Sequence, residues 1–332
     1  MSHAVTMRDV CRETGVSVAT VSRVINKQPK VSAARRKLVL EAIQRLGYTP
    51  NALARSLSRS RTDTVGVLLG QELSDSIVNV VRGIEIEAHT RGLHLLLGRA
   101  SAGTSSDELG EALVDGLIVL DPMMSRQTIS RMRSRGRPLV MIQNHAGEAS
   151  VSTVCAADEQ GAYLGLKHLL SMNHRKLLLI SGPPGGEDSV LRMKGCDRVL
   201  REFKLSPEEA AMMIGRYSPR EALTVFQEYR ARRGLPRAVF AFSDDTAMAV
   251  MKELRVTGVR VPEQVAVVGF GGGVAGEYMG LTTISVPMME MGREAVRVLA
   301  ESIRDPQTKA AHIVMPCELV IRESCGGAPP AP

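Results

Sequence analysis

Arg23 offers the most specific chemistry in this chain. It stands in Ser17-Val18-Ala19-Thr20-Val21-Ser22-Arg23, where apolar residues at helical spacing alternate with short polar ones. A guanidinium forks onto O6 and N7 of guanine, a pairing that carries about 1–3 kcal/mol of discrimination between bases. Ser17, Thr20, Ser22 and Asn26 have short polar side chains suited to phosphate oxygens. A helix that presents a base reader among phosphate contacts is expected to dock in the major groove of double-stranded DNA.

No other spacing makes a comparable case. Gly269-Phe270-Gly271-Gly272-Gly273 follows a strand, but a dinucleotide fingerprint needs Gly where Val274 stands. Gly182-Pro183-Pro184-Gly185-Gly186 lacks the Lys-Ser/Thr of a phosphate loop. Both are expected to be loops at the mouth of a cleft. The seven histidines are dispersed, and His174 reads as a turn residue before a strand. Cys11, Cys155, Cys196, Cys317 and Cys325 show no metal-ligand spacing, which argues against a zinc site or a disulfide framework and fits a reducing cytosol. No Ser/His/Asp or paired-carboxylate constellation stands out. The expectation is a protein without catalytic chemistry, cofactor or metal.

The elements that must position Arg23 are three short helices. Thr6 caps the first, Gly15 stops it, Ser17 caps the second, and Ser32 caps a third over 33–46 that ends at Gly47. The second helix carries Val18, Val21, Val24 and Ile25 at helical spacing. The inner stripe of the third is read as Leu38, Val39, Ala42, Ile43 and Leu46. Two helices joined by a tight turn and braced by a third form a helix-turn-helix. Residues 1–61 carry 12 Lys/Arg against Asp9, Glu13 and Glu41, while the rest of the chain holds 30 Lys/Arg against 32 Asp/Glu. A strongly basic module on a near-neutral body is the footprint of a part that meets polyanion. A three-helix protein-interaction module would share the pattern but not this charge. Aromatics are 3% of the chain with no Trp, which leaves few platforms for single-stranded bases.

From residue 64 strands alternate with helices. Strands are expected over 64–69, 93–97, 116–120, 139–142, 151–155, 176–180, 238–241 and 265–269. Helices are expected over 77–90, 161–172, 190–203, 220–232 and 246–257. Apolar strands alternating with helices imply parallel, doubly wound sheets, with a ligand taken outside the C-terminal ends of the strands. Only 16 residues separate Gly98 from Asp115. That leaves at most two helical turns, over 107–114, for a crossover and thins one wall of the first lobe. No apolar run reaches membrane length and no signal peptide is apparent, so a cytoplasmic, nucleoid-associated location without membrane contact is expected.

The segments VTMRDVCRETGVSVATVSRVIN and KVSAARRKLVLEAIQRLGYTPNALARSLSRSRT resemble the LacI–GalR family of bacterial repressors almost position by position. The likeness continues through DGLIVL, AVFAFSDDTAMAVM, GVRVPEQVAVVGF, LTTISVP and ELVIRESCG. It implies an all-α helix-turn-helix domain joined to a two-lobed α/β body of the periplasmic-binding-protein type, which binds effector and dimerises. The expected division is 1–49, a hinge helix and linker at 50–61, the body at 62–326, and a flexible tail at 327–332. By the resemblance, Val18 and Ala19 occupy the positions that vary with operator sequence; here they can touch a thymine methyl but cannot hydrogen-bond a base. Pro50 opens the hinge helix and Leu57 is its minor-groove wedge. The DNA-contacting set is Thr6, Ser17, Val18, Ala19, Thr20, Ser22, Arg23, Asn26, Ser32, Asn51, Ala54, Arg55 and Leu57.

The resemblance also implies a homodimer on a pseudo-palindromic operator and a sugar or sugar derivative as effector. Candidate effector contacts are Ser76, Ile77, Arg192 and Asp244, the last two standing where the family's motifs recur. Asp244 would otherwise cap the following helix, and Arg192 would otherwise be a solvated cation. Several expected pocket groups are altered: the loop after the first strand reads Ser74-Asp75-Ser76-Ile77, Gly271 replaces an Asp, and Ala157-Asp158 replaces Asp-Asn. A ligand-blind or protein-modulated repressor of the same fold is therefore the alternative.

Overall fold

The computed structural model describes residues 5–25, 29–48, 61–70, 75–99, 113–121, 123–144, 149–206 and 208–327. The chain divides into two compact units, Met1–Asp63 and Thr64–Pro332.

The first unit contains helices α1 (Met7–Thr14), α2 (Val18–Ile25) and α3 (Ala33–Leu46). Each boundary has a local cause. The Asp9 carboxylate accepts from the Thr6 amide at 2.9 Å and the Thr6 hydroxyl at 2.7 Å, which fixes the start of α1. Gly15 and Gly47 end α1 and α3 at φ of 68° and 66°, a left-handed conformation that favours glycine. Val10, Val21, Val24, Val39, Ala42 and Tyr48 close the core between the helices. Leu38, expected in that core, is 43% exposed instead. The buried face of α3 centres on Val39 and Ala42 and leaves Leu38 at its edge, so a 14-residue helix buries a narrower stripe here than its apolar content suggested.

The second unit has two six-stranded sheets. The first has the order β11-β5-β4-β3-β1-β2 and the second β12-β10-β9-β8-β6-β7. The first comprises β1 (Thr64–Leu69), β2 (His94–Arg99), β3 (Gly116–Leu120), β4 (Leu139–Ile142), β5 (Ser152–Ala156) and β11 (His312–Met315). The second comprises β6 (Leu177–Ser181), β7 (Ala210–Ile214), β8 (Ala238–Ala241), β9 (Ala266–Gly271), β10 (Thr282–Ser285) and β12 (Glu318–Val320). All pairings are parallel except β10 with β12. The helices are α4 (Asp75–Thr90), α5 (Arg126–Ser134), α6 (Asp158–Ser171), α7 (Glu187–Glu202), α8 (Pro219–Arg233), α9 (Asp244–Val256), α10 (Val274–Tyr278) and α11 (Met288–Arg304).

The chain passes between the sheets three times: after β5, after β10, and between β11 and β12. As a result α6 packs with α7 against the second sheet, and α11 packs with α4 against the first. Backbone contact between α4 and α11 explains two glycines, since a Cβ on Gly83 would strike the Met289 carbonyl and one on Gly292 the Val80 carbonyl.

Four expected strands have the observed bounds, and the others shift by one or two residues. The sequence reading omitted β7, β10, β11, β12, α5, α10 and α11. Strands β7, β11 and β12 are sheet edges whose residues stay largely half-buried or exposed, so the buried apolar run that marks an inner strand is missing. Helix α11 did carry a legible signal, with Met288, Met291, Gly292, Ala295, Val296 and Leu299 at helical spacing. The short crossover over 107–114 lies outside the described residues except for its last two, of which Val114 is buried.

Candidate nucleic-acid interface and effector cleft

Ser17 opens α2; its hydroxyl lies 3.0 Å from that of Thr20 and accepts from the Thr20 amide at 3.4 Å. The next turn presents Val18, which is 52% exposed, and Ala19, also exposed. Val18 therefore stands on the outer face of α2, while Val21 and Val24 hold the inner one. Arg23 is exposed one turn further on, and Thr20 and Ser22 are half-buried beside it. Ser32 caps α3 by accepting from the Arg35 amide at 3.5 Å. Asn26, and Asn51, Ala54, Arg55 and Leu57 of the segment expected to form the hinge helix, lie outside the described residues.

The charge of this unit is arranged as well as abundant. Asp9 pairs with Arg12 at 3.2 Å, Glu13 with Arg45 at 2.9 Å, and Glu41 with Lys37 at 4.0 Å. Every acid on the three helices thus faces its own cation. Arg23 has no ion pair among the described residues, so its guanidinium is available to a phosphate or base edge.

In the larger unit the effector candidates separate into two groups around β9. Successive residues of a strand point to opposite faces. Phe270 turns toward Arg192, with 3.8 Å from ring centroid to guanidinium carbon, while Gly269 and Gly271 turn toward Asp244.

Arg192 is buried rather than solvated. Its Nε donates to Asp158 Oδ1 at 2.7 Å, Nη1 to the Phe242 carbonyl, and Nη2 lies 3.6 Å from Asp188 Oδ2. Tyr217 stacks 5.6 Å away and its hydroxyl donates to Asp188 Oδ2 at 2.6 Å. Burial opposes the charge on Arg192, but the carboxylates of Asp158 and Asp188 outweigh it and hold the guanidinium protonated. The Tyr217 phenol is pushed well above its usual range by burial, so it stays a donor. Tyr217 and Arg216 both have left-handed backbones, with φ of 62° and 52°, a costly arrangement for two consecutive non-glycine residues.

Asp244 does not cap α9. Ser243 does so, accepting from the Thr246 amide at 3.3 Å. The Asp244 carboxylate instead holds the glycine loop: Oδ2 accepts from the amides of Gly272 at 2.7 Å and Gly273 at 2.9 Å, and Oδ1 accepts from the Thr283 hydroxyl. Burial raises its pKa, although these donors and Arg322 work the other way. Ser76, on the first turn of α4, approaches this loop across the gap between the sheets; a Cβ on Gly271 would lie 3.6 Å from its hydroxyl. Ile77 is half-buried against the core.

Three residues of the cluster escaped the sequence reading as contacts. Asp158 was counted as a lost Asp-Asn pair, yet it supplies its carboxylate one position later. Asp188 and Tyr217 gave only weak signals: an acid in the first turn of α7 and an aromatic after β7. Among the described residues no group of three or more His, Cys, Asp or Glu could hold a metal, and all five cysteines are free. No helix among them is long and apolar enough to cross a membrane.

The pattern that defines bacterial regulatory proteins of the lacI family matches residues 6–51, and that of a periplasmic binding protein-like domain matches residues 166–325. The HTH-type transcriptional repressor PurR of Photobacterium profundum is 31% identical over 328 residues, covering 96% of this chain and 98% of that protein. Its namesake from Vibrio atlanticus is 30% identical over 327 residues, covering 96% and 98%. Among solved structures, a transcriptional regulator CelR–cellobiose complex is 29% identical with a TM-score of 0.74, covering 96% of this chain and 99% of that one. A Lac repressor dimer bound to operator and the anti-inducer ONPF shares the fold at 24% identity, with a TM-score of 0.87 and coverage of 97% and 99%.

Proposed function

The chain belongs to the LacI family of bacterial transcriptional regulators, and from that premise we propose that it represses a carbohydrate-utilisation operon under the control of a small sugar-like effector. It is a DNA-binding regulator rather than an enzyme. The observation that carries the reading is the outer face of α2, where Ser17, Val18, Ala19 and Arg23, which has no ion pair among the described residues, are exposed together on a basic unit. Arg23 reads a guanine, Val18 and Ala19 meet apolar base edges, and Ser17, Thr20, Ser22, Asn26, Thr6 and Ser32 bond the backbone. Asn51, Ala54, Arg55 and Leu57, in the segment 50–61 expected from the sequence to be the hinge helix, supply the remaining contacts, with Leu57 as the minor-groove wedge.

Two half-sites require two copies. Val274 and Tyr278, 56% and 88% exposed and one turn apart on α10, give the body an apolar face for the second copy. The dimer works in the cytoplasm, on the nucleoid. Ser76, Ile77, Asp244 and the Arg192 cluster surround the effector, which shifts the hinge-ordered population by its differential affinity for the two states. The test is selection of bound sequences from random duplexes by full-length protein. An inverted repeat with guanine in each half-site is expected, with binding lost in Arg23→Ala; enrichment unaffected by that substitution would overturn the assignment.

A second reading keeps the DNA-binding unit and makes the body blind to small molecules. Its support is that Arg192 and Asp244 are both committed to partners within the protein. Calorimetry against neutral and acidic sugars separates the two.

A further inference from the structure

Two buried carboxylates, Asp158 and Asp188, converge on the single guanidinium of Arg192. Its side chain is 5% exposed, its three nitrogens are engaged, and Phe270 and Tyr217 pack against the guanidinium. An incoming anion therefore finds no uncommitted edge of the guanidinium. The acids of the cluster also act on a neighbouring group: the Cys155 thiol, three residues before Asp158, is pushed up to about 12, by burial first and then by Asp158 and Glu187.

What the cluster leaves unsatisfied is an acceptor. Asp188 has an 8% exposed side chain, and its Oδ1 has no hydrogen-bond partner among the described residues. That oxygen lies beneath the turn after β6, where a Cβ on Gly186 would stand 3.1 Å from it. Pro184 and Gly185 of the same turn are exposed. The site is at the C-terminal ends of β6, β8 and β9, where open α/β sheets take their ligands. A buried carboxylate oxygen without a donor is costly, and a ligand that supplies the donor removes the cost.

We propose that this site takes a hydroxylated amine, such as an amino sugar, whose ammonium group is received by Asp188 Oδ1, and that it rejects sugar phosphates and sugar acids. The assignment rests on the effector reading above and gives the effector its charge. Asp188 receives the amine, Tyr217 orients Asp188 through Oδ2, and Arg192 is a positioning residue that holds both acids in place.

The test is calorimetric titration of full-length protein with matched hexose and pentose sets: neutral sugar, amino sugar, sugar phosphate and sugar acid. The amino sugar is expected to bind about tenfold tighter than its neutral parent, the range of a hydrogen bond to a charged group, with phosphate and acid weaker than both. Asp188→Asn is expected to bring the amino sugar down to the level of the neutral one. A phosphate or acid that binds as tightly as its neutral parent overturns the charge assignment and leaves the effector reading standing. Silence from every probe, with operator binding retained, overturns both. If Asp188→Asn does not fold, the ranking with the unaltered protein decides alone.

Discussion

The Asp244 carboxylate fills the space that a side chain at position 271 would need. A Cβ on Gly271 would lie 3.1 Å from Asp244 Oδ2, and the residue sits at a φ of 149°. The family resemblance expects an Asp at 271. Here the acid comes from α9 instead and is spent on the amides of Gly272 and Gly273.

Gly271→Asp should therefore not restore a pocket group. It should displace Asp244, leave those two amides without their acceptor, and strain the backbone. The expected cost is about 1–3 kcal/mol, read as a lower midpoint in urea at unchanged slope. A variant as stable as the parent would show that the loop has room to spare.

Arg192→Met removes the guanidinium that two buried acids share. Breaking a buried ion pair by deleting one partner costs about 3–5 kcal/mol. Arg192→Lys should recover little of this, because one ammonium cannot reach Asp158, Asp188 and the Phe242 carbonyl in the fork geometry of a guanidinium. Denaturant melts of the two variants decide it; a lysine variant matching the parent would refute the geometric argument.

Tyr278→Asp places a charge in the exposed apolar face of α10. It should weaken self-association and so reduce operator affinity, while leaving the thermal midpoint of the isolated subunit nearly unchanged, since Tyr278 buries almost nothing within one chain. Sedimentation across a concentration series measures this. Unaltered association would move the interface elsewhere.

Acid should destabilise the body through two histidines. His168 and His174 both have pKa values pushed down, by burial first, with Arg237 and His168 adding to the effect at His174. Below about 6.5, the ordinary histidine value, the unfolded chain takes up protons that the native state resists. The stability these groups contribute is full above that pH and is lost as pH falls toward their folded values. Asp121 and Asp244, with values raised by burial, act in the opposite sense, over a window that begins near the ordinary carboxylate range of about 4. The thermal midpoint should drop as the pH is lowered from about 7.5 to about 5.5. The double variant His168→Gln/His174→Gln should show a shallower fall. An identical slope in the variant would assign the acid sensitivity to other groups.

The DNA-reading unit was legible in the sequence because its determinants are local. Thr6, Gly15, Ser17, Ser32 and Gly47 set helix ends within a few residues of themselves, and Val10, Val21, Val24, Val39 and Ala42 recur at helical spacing. The inner strands were legible for the same reason, as apolar runs between turns. Leu38 misled because periodicity gives a stripe but not its width, which depends on the neighbouring helix.

The sequence by itself determined the fold, the charged module and the residue types at the cleft. The tertiary structure decided what those residues do. Arg192 meets Asp158 from 34 positions away and Phe242 from 50, and Asp244 meets Gly272 from 28. Only packing brings such groups together, and only packing shows that Asp158, Asp188 and Tyr217 claim the arginine before any ligand does. An arginine in a motif carries a charge; whether that charge is still uncommitted depends on neighbours that no local pattern names.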